Sequence, residues 1–292
     1  MSRSAVRLSG ELPTRRIVLG AKPLLGPMLF ATSPEVHGLG RVPNPKKGPL
    51  LFVGNHTVFG MLDIWALFLT LLEEKNILLR GLGDHVHFEI PVWGELLAAF
   101  GAVDGTRENC GALLAAGESV LVFPGGAREV AKRKGEAYRL IWKERIGFVQ
   151  LAIEHGATIV PFSAVGVEDA FDLVIDADEL MRSPLGPLLK KFGVRSDAIP
   201  PLAKGRGKRL LPRPEKLYFM IGEPIPTTHL RGRQSDVTAC KALRDQVRGE
   251  VERGIVELQD IQANDAHRRI GARVQTRAKR LLALVKDSGR RG

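Results

Sequence analysis

Two stretches decide how this chain is read: Leu50-Leu51-Phe52-Val53-Gly54-Asn55-His56-Thr57 and Val120-Leu121-Val122-Phe123-Pro124-Gly125-Gly126-Ala127-Arg128-Glu129. Each is an apolar run that stops abruptly at a polar or glycine-rich turn. A short apolar run bounded by turn residues reads as a buried strand. In an open α/β sheet, ligands bind outside the carboxyl ends of such strands. One of these ends carries an imidazole, His56. The other carries Gly125 and Gly126, which lack Cβ, and then the carboxylate of Glu129. Together they could supply a base, an oxyanion site and an orienting acid.

The neighbouring sequence alternates in the same way. Strand signals over 50–53, 77–80, 119–123, 158–161 and 216–221 interleave with helix signals over 60–72, 92–100, 108–116 and 145–154. Pro91 fits the first turn of one helix, and Gly117 and Gly156 fit the ends of two others. The pattern predicts an α/β fold with a mixed, largely parallel central sheet flanked by helices. From Ser235 onward the chain turns helical and arginine-rich. It therefore divides into a basic amphipathic N-terminal segment (1–35), an α/β domain (36–230) and a basic helical C-terminal extension (231–292). Pro23 and Pro27 argue against a continuous helix in the first segment.

Bulk properties narrow the class. The 292 residues are 44% hydrophobic and 26% charged, enough for a proper core. Cys110 and Cys240 match no metal or redox spacing, and a reducing compartment is the simplest reading. The most apolar window, residues 61–72, carries Asp63 and falls short of the roughly 20 residues of a membrane-spanning helix. The N-terminus matches neither a signal peptide nor an anchor.

The net charge of +11 is uneven. Residues 1–50 hold 8 Lys/Arg against 2 Asp/Glu, residues 51–200 hold 14 against 20, and residues 201–292 hold 21 against 10. Basic flanks attract a polyanion: nucleic acid, an anionic bilayer or a phosphorylated ligand.

His56 follows a strand and precedes a helix, so its ring should face a cleft and can take a proton from a hydroxyl. The plainer alternative is a polar residue capping the next helix. Gly125 and Gly126 let backbone amides approach an oxyanion, or simply serve a tight turn. In Asp84-His85-Val86-His87, a strand would put both rings on one side, as a metal site needs. The runs Arg128-Lys132-Arg133-Lys134 and Lys204 to Arg213 read as solvated surface or as phosphate contacts.

With Asn55-His56 and Phe123-Pro124-Gly125-Gly126-Ala127-Arg128-Glu129 in place, the chain resembles the glycerolipid acyltransferases, in particular the diacylglycerol acyltransferase 2-like branch. Further blocks carry the resemblance: Ile90-Pro91-Val92-Trp93-Gly94, Phe100-Gly101-Ala102-Val103 leading to Arg107, Arg145-Ile146-Gly147-Phe148, Ile159-Val160-Pro161-Phe162, and Ile221-Gly222-Glu223-Pro224. Residues 36–226 are covered.

The resemblance implies an acyl-CoA-dependent acyltransferase of glycerolipid or phospholipid biosynthesis, acting on a lipid hydroxyl without an acyl-enzyme. It implies His56 as general base, Glu129 or Asp63 as the carboxylate orienting it, and Asn55, Arg107, Gly125, Gly126 and Arg128 as substrate-binding residues. Acyl-CoA is the donor substrate, with no further cofactor and no metal. The expected partners are a lipid acceptor and an anionic membrane surface at the cytoplasmic face, held peripherally; no nucleic acid is expected. Two departures stand out. The common motif places Asp five residues after the His; here that place is Met61, and Asp63 stands seven after. On a regular helix that is a rise of about 10.5 Å, out of reach of His56 unless the region around Phe59-Gly60 is non-helical. Gly125 replaces the Glu of the phosphatidate-forming members, which favours a neutral or single-chain acceptor. A catalytically degenerate lipid-binding protein of the same fold is the alternative. A basic nucleic-acid-binding protein is a weaker one, since no aromatic residue interleaves with the C-terminal basic run.

Overall fold

The computed structural model describes residues 15–279 apart from 21, 61, 192–198, 206–210 and 277. The described strands are β1 Glu35–His37, β2 Leu50–Gly54, β3 Leu79–Gly83, β4 Val103–Asp104, β5 Ser119–Val122, β6 Thr158–Val165, β7 Asp172–Ile175, β8 Leu202–Lys204, β9 Tyr218–Ile221 and β10 Ile225–Pro226. The described α-helices are α1 Arg15–Gly20, α2 Lys22–Thr32, α3 Leu62–Lys75, α4 His85–Glu89, α5 Trp93–Ala99, α6 Arg107–Ala115, α7 Ala127–Val130, α8 Gly147–His155, α9 Ala177–Arg182, α10 Gly186–Lys191 and α11 Val237–Asn264. The main sheet is eight-stranded in the order β1-β9-β6-β2-β5-β3-β4, with β10 paired to β6. β6 pairs antiparallel with β9 and β10, and the other pairs are parallel. β7 and β8 form a separate two-stranded antiparallel sheet. The mixed, largely parallel sheet flanked by helices matches the expectation from sequence.

β2 is buried at every residue, as a strand covered on both faces must be. Its side chains still alternate. Leu50 and Phe52 pack with Leu67, Phe68 and Leu71 of α3. Leu51 and Val53 pack with Leu113 of α6, Val149 of α8 and Val247 and Val251 of α11. Each such side chain, fully buried, contributes about 1.5–3 kcal/mol. β2 and β5 lie in register from Leu50↔Ser119 to Val53↔Val122. Their carboxyl ends therefore sit side by side, and that is what brings His56 to Phe123.

α11 belongs to the same core. Cys240, Leu243, Val247, Val251, Ile255 and Leu258 are buried at three- and four-residue spacing, one stripe of the helix. The Ser163 hydroxyl donates to Val251 O at 2.8 Å. A Cβ at Gly254 would sit 2.4 Å from that hydroxyl oxygen, so the close helix–sheet approach requires glycine there.

Three local expectations change. α3 begins at Leu62 because Phe59 (φ +62°) and Gly60 (φ +55°) both occupy the left-handed region, which breaks the helix that the sequence pattern starts at Gly60; Met61 lies outside the described residues. The stretch around His85 and His87 is helical, because the Asp84 carboxylate accepts the Val86 N–H at 3.2 Å and caps α4. Two residues apart on a helix are about 200° apart in azimuth, so these rings do not share a side. α2 runs through Pro27. Pro23 stands in the first turn, where no N–H is needed, and Pro27 forgoes one bond while the Leu29 O to Ser33 N–H bond closes the helix end at 2.8 Å. Residues 1–14 of the basic N-terminal segment lie outside the described residues.

Candidate active site

The residue before the imidazole ends the strand. Asn55 is fully buried, and its side-chain amide donates to Ala164 O (2.9 Å) and accepts from Ala164 N–H (2.8 Å). It imitates one more ladder residue and turns the chain out of the sheet. Both ends of the Asn55 amide are thus committed to β6.

His56 comes next. Its ring lies flat on Phe123, with centroids 3.8 Å apart and planes 6° from parallel. On its other side is Gly60, where a Cβ would stand 2.3 Å from His56 Cε1. Glycine is required there both for that approach and for the positive φ.

Both peptide groups of His56 are held as well. Glu129 Oε2 accepts the His56 N–H at 3.0 Å, and Glu129 Oε1 accepts the Ile141 N–H at 2.9 Å. Lys132 Nζ donates to His56 O at 3.1 Å and pairs with Glu168. Asp63 accepts from the Thr57 hydroxyl (2.8 Å), from the Thr57 N–H (3.4 Å) and from the Ile64 N–H (2.9 Å). The left-handed turn at Phe59-Gly60 does bring Asp63 back toward the imidazole. Yet neither expected carboxylate bonds a ring nitrogen. Both carboxylates act on the main chain of the His56 loop, and Nδ1 is buried without a hydrogen-bond partner among the described residues.

Burial pushes the His56 pKa down to about 4; Asp63 opposes the shift, while Lys132 and His87 add to it. The ring is therefore neutral at pH 7. Burial also raises the Glu129 carboxyl, against two backbone hydrogen bonds and the charge of Lys132.

A cavity of about 880 Å³ opens at these strand ends. That is the upper range of small-molecule pockets. Ile64, Trp65 and Phe68 of α3, Leu97 of α5 and Phe100 beyond it form one wall; Val122, Phe148 and Leu151 form another. His56, His87, Arg107 and Arg145 reach the same space. Cys110 also lines it, but burial pushes its thiol up to about 12, too high for a nucleophilic thiolate at neutral pH.

The other expected residues divide. Arg107 lines the cavity and bonds Gln150 and Glu154, both at 3.2 Å. Gly126 lines it with φ +52°, but its N–H donates to Phe123 O at 3.0 Å, so this amide is not free for an oxyanion. Gly125 does not line it; a Cβ there would stand 2.2 Å from Glu129 Cδ, so glycine leaves room for the carboxylate. Arg128 is buried and turned away, donating to Ala131 O and pairing with Glu136. The run from Arg128 to Lys134 divides: Arg128 and Lys132 are buried, while Lys134 is exposed. Each cation meets a carboxylate: Arg128 with Glu136, Lys132 with Glu168, Arg133 with Asp178 and Lys134 with Glu179. In the second run Arg213 is bound to Asp172; Arg206, Lys208 and Arg209 lie outside the described residues.

Sequence reading missed three functional candidates. Phe123 was read only as a strand end. Lys132 was hidden in a run of charges. Arg145, in the Arg-Ile-Gly-Phe block, had no role attached; its guanidinium lines the cavity and donates to Pro124 O at 2.6 Å.

Comparison with known proteins identifies the family. The family model described as "Diacylglycerol acyltransferase" matches residues 53–239. The chain is similar to Phytyl ester synthase 1, chloroplastic, of Arabidopsis thaliana: 34% identical over 266 residues, covering 84% of this chain and 37% of that protein. It is also similar to Phytyl ester synthase 2, chloroplastic, of the same plant: 32% identical over 242 residues, covering 77% of this chain and 34% of that protein. It thus spans about a third of the length of these relatives. Among solved structures, the 1-acyl-sn-glycerophosphate (LPA) acyltransferase PlsC of Thermotoga maritima aligns with a TM-score of 0.49 and 17% identity, over 84% of this chain and 79% of that one.

Proposed function

The chain belongs to the diacylglycerol acyltransferase family, and on that premise we propose that it transfers a fatty acyl group from acyl-CoA to a lipid hydroxyl, with His56 as general base. The observation that carries this reading is a neutral imidazole, backed by Phe123, on the wall of a large apolar cavity. Nδ1 is the buried nitrogen, which leaves Nε2 for the cavity.

The step balances without an acyl-enzyme. Nε2 takes the proton of the acceptor hydroxyl as its oxygen attacks the thioester carbonyl. A C–O bond forms, the tetrahedral oxyanion collapses, and the C–S bond breaks. The thiolate leaves and recovers the proton from the imidazolium. While the imidazolium exists, the nearby Asp63 carboxylate stabilises it. The Gly126 amide is already bonded, so the oxyanion falls to Arg145 at the cavity wall or to the other amides of the turn.

The acceptor we propose is an uncharged lipid alcohol. Arg128, the cation expected to meet a phosphate, is locked to Glu136 away from the cavity. The phytyl ester in the relatives' names is likewise an ester of a lipid alcohol. No helix among the described residues is long and apolar enough to cross a membrane. Access to the acceptor is proposed to come from peripheral contact with the cytoplasmic face of an anionic membrane. Leu24 (81% exposed) on α2 is available for insertion.

One observation favours a second reading, a lipid-binding protein without catalysis: the unpaired Nδ1 leaves the ring without the carboxylate partner that orients a typical base. The deciding experiment is thiol release from long-chain acyl-CoA with lipid products resolved. Its acceptor panel spans fatty alcohol, monoacylglycerol, diacylglycerol and lysophosphatidate, with His56→Ala alongside. A His56-dependent ester supports acyl transfer and names its acceptor. Folded protein that binds lipid and gives no product supports the second reading.

A further inference from the structure

A buried lysine demands an explanation. Lys132 is 2% exposed, in a run that looks like solvated surface from sequence. Taking an ammonium out of water costs several kcal/mol unless it is paired and hydrogen-bonded. Its partners are two: the Glu168 carboxylate, itself buried, and the carbonyl oxygen of His56. The free oxygen of Glu168 accepts the Tyr138 N–H, so the carboxylate cannot swing away to leave a simple surface pair.

The position of Lys132 relative to Glu129 gives the pair its meaning. The two stand three residues apart, on either side of the end of α7. Glu129 takes the N–H of His56 and Lys132 takes its C=O. Phe123, which opens the same turn, carries the imidazole face. His56 is thus tied to the turn after β5 by three contacts, and none of them uses a ring nitrogen. An imidazole without a ring-nitrogen partner has nothing else to fix its χ angles but its own backbone and the surfaces on either face.

We propose that Lys132 is a positioning residue of the active site, forming with Glu129 a clamp on the two peptide groups of His56 that holds the imidazole against Phe123 and toward the cavity. This rests on the reading of His56 as the base. It assigns to the main chain the task that a carboxylate on Nδ1 performs in a typical base pair. A displacement of about 1 Å at a reacting group can lower a rate by about 100-fold. Loss of the clamp should therefore appear in kcat, with KM nearly unchanged, because Lys132 does not line the cavity.

The test compares three variants of the full chain: Lys132→Arg, Lys132→Met, and the double variant Lys132→Met/Glu168→Leu. The double variant removes both buried charges together and so avoids an orphaned carboxylate, which keeps the comparison available if Lys132→Met does not fold. Two measurements are made on each. One is kcat and KM for the acyl-CoA reaction. The other is the NMR titration of the His56 imidazole, which needs no turnover. The other charged or titratable groups facing that ring, Asp63, Glu129 and His87, are unchanged in all three.

The clamp predicts that the charge-free variants lose about 10- to 100-fold in kcat with KM within about threefold. It also predicts that the His56 midpoint rises from about 4, because Lys132 lowers it in the native protein. Lys132→Arg, which keeps a long cationic donor, should recover most of kcat. The proposal is overturned if the folded double variant keeps wild-type kcat and the wild-type His56 midpoint. It is also overturned if kcat falls while the midpoint stays put and arginine rescues nothing, which is the signature of a merely structural pair. Absence of turnover in the wild type would refute the base reading instead, and the titration would still report whether the Lys132 charge stands close to the ring.

Discussion

The His56 and Phe123 rings lie parallel, 3.8 Å apart, although 67 residues separate them in the chain. In-register pairing of β2 and β5 places them so. The stack does for the imidazole what a ring hydrogen bond does in other sites: it removes rotational freedom. Phe123→Leu keeps apolar volume but loses the flat surface. We expect a fall of about tenfold in kcat with a modest stability loss of about 1–2 kcal/mol, since the site is half-buried. Parallel kinetics and urea unfolding separate the two effects. A variant equal to wild type in kcat removes the stack from the mechanism.

The acid side of the pH profile should be unusual. A base with its pKa lowered to about 4 stays unprotonated well below the ordinary histidine value of 6.5. Activity should therefore hold as pH falls through 6 and drop only near 4. The same shift acts on stability. In the unfolded chain His56 takes up a proton below about 6.5, while the folded site resists it. His56 thus leaves stability intact above 6.5 and erodes it as pH falls toward 4, by about 3 kcal/mol in all at one pKa unit per 1.4 kcal/mol. Urea unfolding of wild type and His56→Gln at pH 7, 5 and 4 checks the sign, and the gap between them should change in favour of the variant as pH falls. An activity midpoint near 6.5 refutes the burial argument.

How much of this was legible in the sequence follows from where the signals lie. β2 and β5 announce themselves because a buried strand ending at a polar or glycine-rich turn is a local pattern, and His56, Gly125 and Glu129 ride on those ends. The three-residue strand β1 and the short strands β7 and β8 carry too few residues for periodicity to register. α4 follows from the Asp84 cap, a one-residue signal that the His-x-His spacing masked. The partners of Glu129 and Lys132 are backbone atoms of His56, and a backbone atom leaves no trace in the sequence. That is why the sequence offers Glu129 or Asp63 as a partner of the ring, and why Lys132 reads there as a solvated charge or a phosphate contact. Arg128 shows the converse: its motif position survives, but Glu136 eight residues on takes its charge.

Glu129 and Asp63 should separate by what their amides do. Glu129 receives one N–H on each oxygen, so Glu129→Gln sets an NH₂ against one of those donors. A buried donor left unsatisfied costs about 1–3 kcal/mol. We expect that loss in stability together with a drop in kcat, as the His56 loop loosens. Asp63→Asn retains an acceptor for the Thr57 hydroxyl but removes the charge that favours the imidazolium. Here kcat should fall with little loss of stability, and the His56 midpoint should move below about 4. Urea unfolding, kinetics and the imidazole titration on both variants check this. A silent Asp63→Asn would show that the imidazolium needs no carboxylate nearby.

Arg145 offers the sharpest distinction between oxyanion stabilisation and binding of the donor's phosphates. Its side chain is exposed, lines the cavity and is anchored on Pro124 O at 2.6 Å, in the same turn as Gly126. The Gly126 N–H is engaged with Phe123 O, and the Arg145 guanidinium lies 3.2 Å from where a Gly126 Cβ would stand. If it stabilises the oxyanion, Arg145→Lys and Arg145→Ala should both lower kcat, the alanine by about 100-fold, with KM for acyl-CoA nearly unchanged. If it instead holds phosphate, KM for acyl-CoA should rise steeply while kcat is kept, and a short acyl thioester without the nucleotide should be used equally well by variant and wild type. We expect the first pattern, since the guanidinium is fixed to the turn beneath the base rather than to the outer rim where Arg107 sits between Gln150 and Glu154. Steady-state kinetics with both donors decides it: an effect confined to KM for the full thioester moves the oxyanion site to the remaining amides of the turn.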